Sequence, residues 1–217
     1  MIIQWLGLSC FKIQTKNKNQ DITIVTDPFN EKTSGLKMPK TNADIATFSH
    51  DHDNHNNLEA IKNNDVFIVN TPGEFETKGV FIYGIPAFHD DKQGKEKGKN
   101  NIYKIITEDI NLVHLGDLGQ PLDDEQLEKV GNVDILFVPV GEVDTLNLDQ
   151  INGIISQLEP RIIIPMHYKA TGQKTELKNL EHFLKNSGMK SETMDKFKIS
   201  QKELAAQTES KIVILNI

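Results

Sequence analysis

Short apolar runs rich in β-branched residues recur along the chain. They fall at Ile2–Leu6, Cys10–Ile13, Ile22–Thr26, Ile45–Phe48, Val66–Val69, Val80–Ile85, Ile102–Ile106 and Leu112–Leu115, and each predicts a strand. Short turns separate the first of them, which predicts antiparallel meanders. The second half adds Ile135–Val140, Ile162–Pro165 and Lys211–Leu215, with helical stretches between. Pro121–Val130 opens with proline and acids and stops at Gly131, as a helix should. Leu148–Leu158 is apolar at 148, 151, 154, 155 and 158, a helical stripe ended by Pro160. Leu177–Leu184 predicts a further helix, and Leu58 with Ile61 a short one after Asn56-Asn57. Runs such as Ile135-Leu136-Phe137-Val138 are apolar on both faces, so their sheet is covered on both sides. The pattern predicts a layered α/β protein with helices outside two sheets.

No linker or internal repeat divides the 217 residues, which predicts a single domain over 1–217 with ample core. Asp90–Asn101, polar and rich in lysine and glycine, reads as a mobile loop. No apolar run reaches a membrane-spanning length, and the N-terminus lacks a signal-peptide pattern, so a cytoplasmic location is expected. The net charge of −7 and the single arginine, Arg161, argue against a nucleic-acid binder. One cysteine, Cys10, excludes a disulfide framework and a thiolate metal cluster; it reads as a small buried hydrophobe.

The seven histidines are unevenly placed. Residues 49–57 read Ser-His-Asp-His-Asp-Asn-His-Asn-Asn, directly after a predicted strand. In extended chain, residues two apart point to one side, so His50 and His52 can share a metal. His55, where the chain turns, suits a neighbouring position. Convergent imidazoles suit zinc, iron and other transition metals. His89, Asp117 and His167 each lie just beyond a predicted strand, where sites gather in α/β proteins. His182 lies among charged residues and reads as surface.

With these motifs in view, the sequence resembles the metallo-β-lactamase fold superfamily. It is particularly similar to the branch of small metal-dependent hydrolases that includes ascorbate-6-phosphate lactonase-like proteins. The superfamily pattern His-x-His-x-Asp-His is matched by His50-Asp51-His52-Asp53-Asn54-His55, and the later His, Asp and His motifs by His89, Asp117 and His167. Pro72-Gly73-Glu74-Phe75 and Thr26-Asp27-Pro28 also look like that branch. The resemblance implies a four-layer αβ/βα sandwich. It implies two divalent ions, zinc first and manganese, iron or nickel as alternatives. His50, His52 and His89 would hold one ion, His55, His167 and position 54 the other, and Asp117 would bridge them. The ions would activate a water against an ester, lactone or phosphodiester bond of a small molecule. Asp27 and His114 would support the ligands from behind.

Two positions depart from the pattern. Asn54 stands where the motif has Asp; its carbonyl coordinates weakly, carries no charge and cannot take a proton at neutral pH. The second ion should therefore bind more weakly and hydrolysis should be slower, and a metal-binding protein with little catalysis is the alternative. Leu8 stands where that branch often has His, which alters polarity near the site. A di-iron oxidoreductase on the same fold ranks low, since no flavin domain follows. Lys92, Lys95, Lys97 and Lys99, directly after His89, could draw an anionic substrate toward the metals, against the plainer reading of a solvated loop.

Overall fold

The computed structural model describes all 217 residues. Fourteen strands form two sheets. β1 (Ile2–Gly7), β2 (Cys10–Asn17), β3 (Gln20–Thr26), β4 (Ile45–Thr47) and β5 (Phe67–Val69) run in sequence across the first sheet. In this sheet only β1 to β3 form an antiparallel meander; β3, β4 and β5 are parallel, contrary to the expectation for these early strands. Chain crossing over the sheet face between them removes the hairpins that an antiparallel arrangement requires.

β6 (Gly73–Thr77), β7 (Val80–Phe88), β8 (Lys99–Thr107) and β9 (Ile110–His114) make an antiparallel meander at one side of the second sheet. It continues in parallel through β10 (Ile135–Pro139), β11 (Ile162–Met166), β14 (Lys211–Leu215) and β12 (Ser191–Met194). The two-residue β13 (Phe197–Lys198) returns to pair with β1 in the first sheet. β6, β12 and β13 escape the sequence pattern because edge positions bury little and need no apolar alternation.

The sheets meet face to face. Ile3, Phe11, Ile13 and Ile24 of the first pack in one core with Ile82, Leu112, Phe137 and Ile163 of the second. Phe11 and Phe137 mark the contact, with ring centroids 4.5 Å apart. Every residue of β10 and β11 is buried, which matches their continuous apolar runs. Their outer neighbours include Ile151 and Ile154 of α3 (Leu148–Leu158) and Phe183 of α4 (Leu180–Ser187). The outer layer over the first sheet is thin: the four-residue α1 (Glu31–Ser34), a 3-10 turn at Leu58–Ala60 and loops covering Leu8, Cys10, Val25 and Ala46. The two sheets with their outer layers form the metallo-β-lactamase-type sandwich that the resemblance implied.

Helix bounds differ from the pattern where caps decide them. α2 (Asp124–Val130) starts at Asp124, not Pro121, because Asp123 forms a reciprocal capping box with Gln126. The stretch predicted as a helix from Leu177 becomes helical only at Leu180. The Lys178 amide instead bonds the Gly141 carbonyl and the Lys178 carbonyl accepts from Lys169, so the backbone at 178 is tied to neighbouring loops and not to the helix. The helix expected at Leu58 and Ile61 is only the 3-10 turn. No helix is long and apolar enough to cross a membrane.

Candidate metal centre

Four loops that leave strand C-terminal ends converge at one edge of the sandwich. His50, His52 and His55 follow β4, His89 follows β7, Asp117 follows β9 and His167 follows β11. Asp117 lies at the centre. Its Oδ2 is 3.0 Å from His55 Nε2, 3.2 Å from His167 Nε2, 3.5 Å from His89 Nε2 and 4.0 Å from His50 Nε2. Two sets of ligand atoms close to within 4.8 Å of one another: His50, His52 and His89, and His50, His55 and Asp117. All are buried except His52, whose ring sits 4.6 Å from His50 and 5.1 Å from His89.

The imidazoles are aimed by bonds to their far nitrogens. The Ser49 hydroxyl donates to Asp27 Oδ2 (2.6 Å) and accepts from His50 Nδ1 (2.9 Å), so the His50 Nε2 lone pair faces inward with no protein partner. His55 Nδ1 donates to Asp27 Oδ2 at 3.1 Å. His89 Nδ1 donates to the Asp144 carbonyl at 3.1 Å, which turns its Nε2 toward Asp117. Holding Nδ1–H on an acceptor so that Nε2 is free is how proteins present histidine to a metal. The buried, unpartnered Nε2 of His50 and a donor set of imidazole and carboxylate both fit a divalent transition metal.

The charges tell the same story. Burial opposes a charged His55, yet Asp117 and Asp27 on either side raise its pKa to about 10. His89 is also raised: burial lowers it, but its bond to Asp117 prevails. Burial, helped by the neighbouring imidazoles, lowers His50, His52 and His167. Despite complete burial, His167 and His55 hold Asp117 well below the usual carboxylate range. A buried anion ringed by imidazoles leaves those rings competing for one negative charge, a conflict that cations resolve.

Asp27 and His114 support this cluster in different ways. Buried Asp27 accepts the Ser49 amide (2.7 Å) and hydroxyl besides His55. It adopts a left-handed φ of 39°, as His167 does at 51°; both are costly for non-glycine residues and concentrate at functional sites. His114 touches no proposed ligand. Its Nε2 donates to the Ser9 carbonyl (2.9 Å) and its Nδ1 accepts the Gly116 amide (3.2 Å), which fixes the turn before Asp117.

A cavity of about 280 Å³ opens over the cluster, lined by His52, Asn54, His55, His89, Asp117 and His167 together with Glu96, Lys97, Val143, Asp144, Thr175 and Leu177. Asn54 is thus at the site, and its carboxamide oxygen bonds the Thr33 hydroxyl at 3.0 Å. Asp53 is exposed and does not line the cavity. Leu8 is fully buried in the small core beneath the first sheet, and its carbonyl accepts the His167 amide at 3.0 Å. Cys10 is buried in the same core, and burial pushes its thiol well up, in keeping with an inert hydrophobe.

Asp90–Asn101 is built rather than mobile. The Asp90 carboxylate accepts the amides of Lys92 and Gly94 (both 2.8 Å), Glu96 (3.0 Å) and Lys97 (2.7 Å), and β8 begins at Lys99. A polar sequence conceals such order when one side chain gathers the loop's own backbone donors.

Several contributors are invisible to sequence reasoning. Asp144 acts through its carbonyl, which no side-chain pattern reveals. Asn100 accepts the Asp117 amide (3.0 Å) and donates to the Leu115 carbonyl (2.9 Å), while Asn101 donates to the Ser49 carbonyl (3.0 Å). Both asparagines lie in the first residues of β8, inside the stretch that the sequence presents as a polar loop, so no local signal marks them. Ser9 donates to Asp117 Oδ1 at 3.3 Å.

Residues 2–167 match the model of the beta-lactamase superfamily domain. The chain belongs to the metallo-β-lactamase superfamily. A superfamily member from Thermotoga maritima, described as a Zn-dependent hydrolase, is 32% identical, superposes with a TM-score of 0.80 and covers 99% of this chain and 97% of its own. A UPF0173 metal-dependent hydrolase from Pyrococcus horikoshii is 26% identical over 76% of this chain and 84% of its own. One from Bacillus cereus is 28% identical over 77% and 86%. Within the superfamily domain, the match ends at His167, the last residue of the cluster.

Proposed function

We propose that this chain is a metal-dependent hydrolase, one domain over residues 1–217, that cleaves an ester, lactone or phosphodiester bond in a small molecule. His50, His52 and His89 would hold one divalent ion. His55, His167 and, weakly, Asn54 would hold a second, with Asp117 available to both. The thiolate-free donor set suits zinc first, with manganese, iron or nickel as alternatives. When bound, the ions supply Lewis acidity to the scissile group and acidify water. Asp27, through Ser49 and His55, orients imidazoles on both sides of Asp117. Asn54 positions and hydrogen-bonds at the cavity wall but takes no proton, so turnover is slower than with Asp there.

The convergence of four imidazole Nε2 atoms on one carboxylate oxygen within 3.0–4.0 Å carries this reading. The names of the T. maritima and P. horikoshii relatives support it. The test is metal content per chain of freshly purified protein, with hydrolysis of p-nitrophenyl acetate and bis-p-nitrophenyl phosphate. Two ions per chain with turnover of either probe is expected. No bound metal, or full metal occupancy with no turnover by either the natural chain or Asn54→Asp, overturns it.

A further inference from the structure

Among the residues lining the cavity over Asp117, Lys97 is the only lysine or arginine, in a lining that also carries the carboxylates of Glu96, Asp144 and Asp117. The single arginine is elsewhere: Arg161 bonds the Leu204 and Gln207 carbonyls and lies beside Asp134. Lys92, Lys95 and Lys99 are exposed and do not line the cavity. Lys97 is different because its backbone is fixed. Its amide is one of the four gathered by Asp90, the residue directly after His89, so the loop delivers this one ammonium to the cavity wall. There Nζ forms an ion pair with Asp144. The pair is asymmetric: the Lys97 side chain is 28% exposed, but that of Asp144 is 64% exposed. An ion pair with so solvated a partner is worth little and exchanges readily. Asp144 itself stays in place when its carboxylate is released, because its carbonyl is held by His89 Nδ1.

We infer that Lys97 receives an anionic group of the substrate, a phosphate or carboxylate, and that Asp144 is the internal stand-in which that group displaces. The inference rests on the hydrolase reading and narrows it to anionic substrates. It makes a prediction of sign. Removing the lysine weakens anion binding, whereas removing the competing carboxylate strengthens it. A purely structural strap would lose from both changes.

The experiment is calorimetric titration of inorganic phosphate and of acetate into metal-loaded wild type, Lys97→Met, Lys97→Arg and Asp144→Asn, with metal content measured on the same samples. Lys97→Met should weaken the better-bound anion by about tenfold, Lys97→Arg should retain most of the affinity, and Asp144→Asn should tighten it a few-fold. Whichever anion binds more tightly identifies the group. Unchanged binding in Lys97→Met, weaker binding in Asp144→Asn, or no anion binding by wild type overturns the inference. The same titrations on metal-free protein read the sign pattern even where no metal binds, which separates this failure from failure of the hydrolase reading.

Discussion

Asp27 Oδ2 accepts from His55 Nδ1 at 3.1 Å and from Ser49 Oγ at 2.6 Å, so one buried carboxylate steers both His55 and, through Ser49, His50. Asp27→Asn keeps the shape but weakens the hold on both imidazoles. Metal affinity should fall roughly 10–100-fold, as for other residues that orient metal ligands, and competition with a chromogenic chelator would measure it. Unchanged affinity would remove Asp27 from the site.

Asn54 faces the cavity with its amide oxygen on the Thr33 hydroxyl. Asn54→Asp adds a charge beside His55 and His167. The more weakly held ion should then bind at least about tenfold more tightly, with faster hydrolysis. A metal titration resolving two steps in the natural chain and one merged step in the variant is the expected record.

Gly141 allows the backbone to pass close to His167: a Cβ there would land on the His167 carbonyl oxygen. Gly153, within α3, has nothing within 4 Å of a Cβ. Gly141→Ala should therefore lower both the melting temperature and metal affinity. Gly153→Ala should stabilise the helix by about 0.5–1 kcal/mol and leave metal binding untouched. Thermal melts and metal titrations on the two variants separate site geometry from helix propensity.

At the far end of the sandwich, the Glu108 carboxylate bonds the Met1 ammonium (2.9 Å), the Thr15 hydroxyl (2.8 Å) and the Lys16 amide (2.9 Å), tying the two sheets. Although burial opposes it, these partners hold the Glu108 pKa below the usual range. Its contribution is therefore complete above the unfolded value of about 4.3 and is lost as pH falls through the lower folded value. Glu108→Gln should cost about 1–2 kcal/mol at pH 7 and flatten the acid limb of the stability profile. Urea melts from pH 7 down to pH 3 would show whether the two proteins converge.

The legible part of the site was the part with local spacing. His50, His52 and His55 stand within six residues, and β4 ends directly before them, so their convergence needs little beyond strand and turn geometry. His89, Asp117 and His167 were legible as strand-end residues. Asn100 and Asp144 were not, and Lys97 was legible only as one of four loop lysines with nothing to single it out. Each sits in a polar stretch whose role depends on what another loop brings alongside, and for Asp144 the acting group is a carbonyl that every residue carries.

By itself, the sequence determined the strand inventory of the core, the two-face burial of β10 and β11, and a nitrogen–oxygen donor set with an uncharged residue at position 54. Those follow from hydrophobic period and side-chain chemistry, which are local. Only the tertiary structure decided that Asp117 sits under four imidazoles, that Asp27 reaches two of them, and that Lys97 alone among the loop lysines lines the cavity. Residues as far apart in sequence as His50 and His167 meet because packing the two sheets places several strand ends at one edge. Burial there then fixes distances and charges that no stretch of sequence encodes alone.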